Sequence, residues 1–200
     1  MGPERKGKTF LEKEKKITAY HEAGHAVVGH LLPNTDPINK ISIISRGHAA
    51  GYTLNLPQEE KIFHTRSEFM DELAMLLGGY AAEKFIFNDL TTGASNDLRR
   101  ASDLARKLIT KFGMSEKMGP VVFGEESETV FLGKEIHEQR NYSEKVAAEI
   151  DSEIEAFISQ AYKRATEILE KNKEKLEKVT KRLMEIEVIE KEEFEALMQS

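Results

Sequence analysis

Read for the spacing of its apolar positions, the chain divides into helical stretches around one short alternating region. From about Glu12 to Leu32, the positions Ile17, Tyr20 or His21, Gly24, Val28 and Leu31 follow a helical period, and Pro33-Asn34 stops it. Gly24 and Gly29 each cost such a helix ~1 kcal/mol relative to Ala. Their presence implies that another element or a substrate packs close to the backbone. Ile41-Ser42-Ile43-Ile44-Ser45 and Tyr52-Thr53-Leu54-Asn55-Leu56 are β-branched or alternating runs, separated by the loop Arg46-Gly47-His48-Ala49-Ala50-Gly51. They predict a hairpin or two strands of a small sheet. A second helix is predicted from about Arg66 to Phe87, opened by Thr65 and Glu68 at capping-box spacing, with Phe69, Leu73, Leu76 and Tyr80 along one side. Gly78-Gly79 interrupts it with a patch of small residues. After Thr91-Thr92-Gly93-Ala94-Ser95-Asn96-Asp97, a third helix carries Leu98, Ala101, Ala105, Leu108 and Phe112, with Gly113 past its end. Asp97 falls in its first turn.

Residues 113 to 134 hold five glycines or prolines and the short apolar run Pro120-Val121-Val122-Phe123, and read as a loop with room for one strand. From about Glu135 the pattern is helical, with a long stripe of Val146, Ile150, Ile154, Phe157, Ala161, Ala165 and Ile168. A bend is expected near Asn172, then apolar positions at Leu176, Val179 and Leu183, then Val188-Ile189 and a short final helix with Phe194 and Leu197. The polar face of this stripe mixes both signs of charge, so it reads as domain core or subunit contact rather than as a membrane surface. The fold class is mainly α, with a small β-sheet or hairpin and a long C-terminal helical region. Residues 1–10, polar and basic with Gly2, Pro3 and Gly7, read as a linker. Residues 11–200 read as the domain, divided into a first lobe of about 11–134 and a helical lobe of about 135–200.

Composition narrows the chemistry. With 40% apolar residues in 200, the chain can build a core without staples. It has no cysteine, which removes disulfides, thiolate metal sites and cysteine nucleophiles, so any metal ligands must be His, Asp or Glu. The net charge of -6, from 29 basic and 35 acidic residues spread through the chain, argues against a nucleic-acid partner. No stretch approaches the ~20 apolar residues needed to cross a bilayer, and the first residues lack the apolar core of a signal peptide. The fragment is expected to be soluble, with any membrane attachment outside it.

Among six histidines, two stand in His21-Glu22-Ala23-Gly24-His25. Four residues of helix make about 400° of rotation, so the two imidazoles face the same way, one turn apart, and can grip one metal ion. Glu22 lies roughly 100° around the helix from His21, near enough to handle protons but poorly placed to be a third in-line ligand. This is the layout of a zinc hydrolase. A catalytic zinc needs three protein ligands and an open position. The candidates for the third are His30, His48, His64, His137 and the carboxylates. Asp97 follows a glycine-containing turn and starts a helix, but an acid there also complements the helix macrodipole. Glu83, 62 residues after His21, is a close rival. His30 lies about 900° around the helix from His21, on its far side. His48 and His64 read as loop residues, His137 as a helix residue, and Met114 and Met118 as gap fillers.

Several separated motifs, in order, resemble the peptidase domain of the FtsH family, the membrane-anchored ATP-dependent zinc proteases. They are Thr18-Ala19-Tyr20 leading into His21 to His25, then Arg46-Gly47, Gly51-Tyr52-Thr53, Leu77-Gly78-Gly79-Tyr80-Ala81-Ala82-Glu83 and Thr92 through Leu98. Phe112-Gly113-Met114-Ser115 and Phe131-Leu132-Gly133-Lys134-Glu135 extend the resemblance over nearly the whole chain. It implies zinc held by His21, His25 and Asp97, with Glu22 as the catalytic base, and leaves Glu83 a candidate either for supporting a ligand or for a purely structural role. It also implies a linker at 1–10 after an AAA-type ATPase module absent from this chain, a membrane anchor, a hexameric ring and polypeptide substrates. The full-length protein would then sit in the bacterial inner membrane with this domain facing the cytoplasm. No Gly-x-x-x-x-Gly-Lys-Ser/Thr loop occurs, so no ATP site is expected within the chain. The strand Gly51 to Leu56 is a candidate for holding extended substrate by edge pairing. The rival reading is a non-enzymatic module in which zinc staples helices for oligomerisation. A hydrolase for a small substrate is a third, which the other motifs do not support.

Overall fold

The computed structural model describes residues 12–45, 50–57, 61–124 and 141–199. The expected linker at 1–10, His48, the Phe131 to Glu135 motif and His137 lie outside the described residues. Helix α1 (Glu12–Leu31) runs through the centre and is enclosed on nearly every side from Thr18 to Gly29. Its end is tied off by Thr35, whose hydroxyl meets the Gly29 carbonyl, where Pro33 and Pro37 prevent continuation.

Strand β1 (Ile38–Ser42) is flanked by β2 (Tyr52–Asn55) and by β3 (Val188–Glu190), both antiparallel to it, giving the order β2-β1-β3. Ile41 faces Thr53 on one side and Ile189 on the other. The expected strand at Ile41 to Ser45 is therefore shifted toward the N-terminus. Ile43 has already left the ladder, bonding instead to the Glu187 carbonyl. The two-stranded hairpin becomes a three-stranded sheet because the chain's far end supplies β3.

The expected second helix is two, α2 (Arg66–Leu76) and α3 (Gly78–Phe87), with Leu77 at the break (φ -89°, ψ -1°). The Thr65–Glu68 capping box is present. Helix α4 (Ser95–Thr110) places Asp97 in its first turn, as expected. The Pro120 to Phe123 run forms no strand; it lies between Gly119 and Gly124, both at positive φ, and Phe123 bonds back to the Thr110 carbonyl. Helix α5 (Glu144–Lys171) begins at the Ser143 cap, carries the expected stripe from Val146, and meets α6 (Lys173–Ile186) at a bend on Asn172; the expected helical start near Glu135 lies outside the described residues. Helix α7 (Lys191–Gln199) closes the chain.

The helices share one hydrophobic core. Val27, Val28, Leu73, Leu108, Phe157, Leu176 and Phe194 all belong to it, so α5, α6 and α7 pack on the same interior that surrounds α1.

Candidate metal centre

Three helices meet at the His-Glu-Ala-Gly-His turn of α1. His21 and His25 point the same way, their Nε2 atoms 3.0 Å apart and both residues buried. Asp97, from the start of α4, brings Oδ2 to 3.2 Å from His21 Nε2 and 3.4 Å from His25 Nε2. One donor atom from each residue fits within 4.8 Å of the others.

The outer nitrogens fix the chemistry of the inner ones. His25 Nδ1 donates to the Met75 carbonyl at 2.8 Å, and His21 Nδ1 donates to Glu83 Oε1 at 2.7 Å. With the proton on Nδ1, each neutral ring presents a bare lone pair at Nε2. Two such lone pairs and a carboxylate oxygen then converge on one point, an arrangement that repels itself unless a cation or an added proton sits there. Without a metal, burial opposes charge on His21, yet its hydrogen bonds to Asp97 and Glu83 draw it up to about 10. Burial likewise opposes charge on Asp97, and its bonds to the two imidazoles hold the carboxyl well below the usual range. The donor set therefore fits a divalent ion, and Glu83 fixes the His21 ring through its outer nitrogen. Glu83 is itself held by the Thr91 N–H, 2.9 Å from Oε2.

Glycine makes this convergence possible. A Cβ on Gly79 would lie 2.5 Å from His21 Cε1 and 2.6 Å from both Nε2 atoms. One on Gly24 would lie 2.5 Å from the Gly78 carbonyl oxygen, where α1 and α3 cross backbone to backbone. The close approach expected from Gly24 and Gly29 is this crossing for the first and the Met75 side chain for the second.

Glu22 is 6% exposed and stands beside the donors without joining them. Burial pushes its carboxyl up, against the pull of His25 and His21. Its Oε2 accepts a 2.9 Å bond from the Thr53 hydroxyl on β2. The other third-ligand candidates are elsewhere: His30 is exposed with its ring against Phe194, and His64 is exposed near Phe69. His64, Phe69, Glu72 and Met75 border a groove of about 550 Å³ that begins at Asn55, the end of β2. Sequence reasoning missed Thr53 and the role of Gly79; the signal available for the second was a pair of glycines inside a helical pattern.

A helix bearing His-Glu-x-x-His, completed by a carboxylate from a second helix and a buried acid at its side, defines a metallopeptidase type of centre. The model of peptidase family M41 matches residues 8–197, and the chain belongs to that family. It is 54% identical over 194 residues to the ATP-dependent zinc metalloprotease FtsH 1 of Thermoanaerobacter sp. (strain X514), covering 97% of this chain and 32% of that protein. It is 52% identical over 198 residues to the ATP-dependent zinc metalloprotease FtsH of Caldicellulosiruptor bescii, covering 99% and 32%. For the protein of that name from Thermotoga maritima the identity is 49% over 198 residues, covering 98% and 32%. The chain thus spans about a third of the length of the curated relatives it matches.

Proposed function

We propose that this chain is the zinc endopeptidase domain of an ATP-dependent protease, with His21, His25 and Asp97 as the zinc ligands and Glu22 as the catalytic base. The observation that carries the reading is the convergence of three metal-donor atoms beside a buried carboxylate that is not one of them. Bound there, zinc would bring the pKa of a water ligand to about 7 and polarise the scissile carbonyl. Glu22 then accepts the proton of the attacking water and returns it to the leaving amine nitrogen. Glu83 keeps the His21 ring in the tautomer that presents Nε2.

The outer edge of β2, which carries no strand among the described residues, lies beside Glu22 and ends at the groove, which suits extended polypeptide substrates read through their backbone. The relatives' names further support an ATPase module elsewhere in the full-length protein. We extend the reading to a linker at 1–10, a catalytic lobe of about 11–134, a helical lobe of about 135–200, a hexameric ring and a membrane anchor with this domain on the cytoplasmic side. Among the described residues no helix is long and apolar enough to cross a membrane. A structural zinc staple would close the fourth position with another protein donor; among the described residues the cluster holds three.

The test is Glu22→Gln in the full-length protein, with zinc content and cleavage of an unfolded polypeptide measured together. Zinc should be retained and cleavage lost. Cleavage at the wild-type rate would overturn the mechanism.

A further inference from the structure

Glu22 has two oxygens in different surroundings. Oε2 accepts from the Thr53 hydroxyl, whereas Oε1 has no hydrogen-bond partner among the described residues and lies beside Gly51, where a Cβ would come within 2.8 Å of it. Oε1 is not sealed in: the one fully enclosed side-chain oxygen or nitrogen without a partner among the described residues is Thr180 Oγ1. The chain thus ties down one oxygen of the acid and leaves the other without a partner among the described residues, beside a glycine whose missing side chain would crowd it. The tie comes from an unusual place. Thr53 is on β2, opposite Ile41 of β1, and the far edge of β2 carries no strand among the described residues.

We infer that Thr53 is a positioning residue for the general base: its hydroxyl fixes Glu22 Oε2 so that Oε1 is the proton-accepting oxygen. This rests on the proposed role of Glu22 and deepens it. A carboxylate on a flexible two-carbon stem has several rotamers, and holding Oε2 in the Thr53 bond selects those that leave Oε1 free to take a proton. The Glu22 backbone carbonyl lies 3.1 Å from the same hydroxyl and competes for its single proton, with the carboxylate Oε2 the nearer acceptor at 2.9 Å. Substrate paired along the open edge would hold β2 in place, and with it the base. The strand would then serve the chemical step as well as binding.

The experiment compares Thr53→Val, Thr53→Ala and Thr53→Ser with Glu22→Gln in the zinc-loaded full-length protein, measuring kcat and KM on a flexible fluorogenic peptide alongside zinc content and thermal unfolding. Losing alignment of a proton-transfer group by ~1 Å costs about 100-fold in rate, so Val and Ala should lower kcat roughly 10- to 100-fold. KM should stay within about twofold and zinc should be retained, since neither depends on the orientation of Oε1. Ser, which keeps the hydroxyl, should restore most of kcat. Wild-type kcat in a folded, zinc-loaded Val or Ala variant overturns the inference, as does a Ser variant as slow as Val. Loss of zinc or of folding in both hydroxyl-free variants overturns it too, by making Thr53 structural. If Glu22→Gln is inactive while the Thr53 variants are unimpaired, this inference alone falls; if Glu22→Gln is active, the proposed function falls first.

Discussion

The crossing of α1 and α3 and the packing of α5 and α6 around it are built on opposite rules. At the crossing, Gly24 meets Gly78 through backbone atoms with Ala82 Cβ beside them, and the apolar residues these two helices bury nearby in sequence include Ala23, Ala26, Ala81 and Ala82. Along α5 and α6, large side chains at Ile150, Phe157, Leu169, Leu176 and Leu183 do the filling, and the opposite helix faces are charged and exposed. The first region holds ligands at fixed distances by bringing backbones together. The second contributes stability by removing apolar surface from water, at roughly 25 cal/mol per Å². One region should fail when atoms are added, the other when they are taken away.

The largest effect is expected from Gly24→Val. Its Cβ alone would be 2.5 Å from a backbone oxygen and 2.6 Å from Ala82 Cβ, and neither can swing aside as the end of a flexible side chain can. Overpacking against backbone should cost more than ~3 kcal/mol, read by denaturant unfolding, with zinc content falling in parallel. A loss below ~1 kcal/mol would erase the contrast between the two regions. The matching removal is Leu176→Ala, a fully buried side chain on α6. It should cost about 3 kcal/mol while leaving zinc content and peptide KM unchanged. If it lowers zinc affinity as much as stability, the regions are not separable.

Gly79→Ala sharpens the comparison by setting two effects against each other. Alanine is favoured in a helix by ~1 kcal/mol over glycine, so a merely tolerated glycine would give a more stable protein with its metal intact. The Cβ would instead crowd both imidazole Nε2 atoms. Zinc affinity, measured by competition with a chelator, should fall about 10- to 100-fold, the size of loss seen when ligand orientation is disturbed. After chelation, with no ion between the rings, the stability deficit relative to wild type should shrink.

This division also decides what could be read in the sequence. The α5–α6 stripe was legible, bend at Asn172 included, because burial by large side chains leaves a period of 3.6 in the chain. The His21–His25 pair was legible too, since one helix holds both. Asp97 was not legible from spacing alone: an acid in a first turn has a local reason to be there, and its approach to His21 depends on how α4 lies against α1. Only the resemblance to a known family singled it out. Thr53 stood in a motif of the resemblance, but its bond to Glu22 left no signal, because a threonine in a strand needs no explanation. β3 is three residues long and pairs with a strand about 150 positions earlier, too short and too distant for alternation to announce it. At Leu77 the helical pattern continues through the break, since Ala81 still bonds to the Leu77 carbonyl. Gly78 and Gly79, where a Cβ would strike α1, follow directly on that break.

The smallest effect is expected where neither rule applies, at the exposed start of α2. Thr65 accepts the Glu68 N–H, and Glu68 Oε2 accepts the Thr65 N–H at 2.6 Å while Lys61 meets Oε1 at 2.5 Å. Thr65→Ala should cost about 1 kcal/mol through unpaired first-turn donors, without change in zinc content. The same cap predicts a pH signature. The Lys61 ammonium, then the Thr65 N–H, hold the Glu68 carboxyl down to about 2 from its ordinary 4.5. A group depressed on folding stabilises the protein fully above its unfolded pKa, so this contribution is present above pH 4.5 and fades as pH falls toward 2. Glu68→Gln should therefore flatten that part of the acid limb of stability and leave the neutral region's metal affinity alone. Solvent screens the pair, so the change should be smaller than that of Thr65→Ala. A Glu68→Gln variant that altered zinc affinity would tie this surface cap to the α1–α3 crossing, and the separation of a rigid centre from a forgiving periphery would have to be withdrawn.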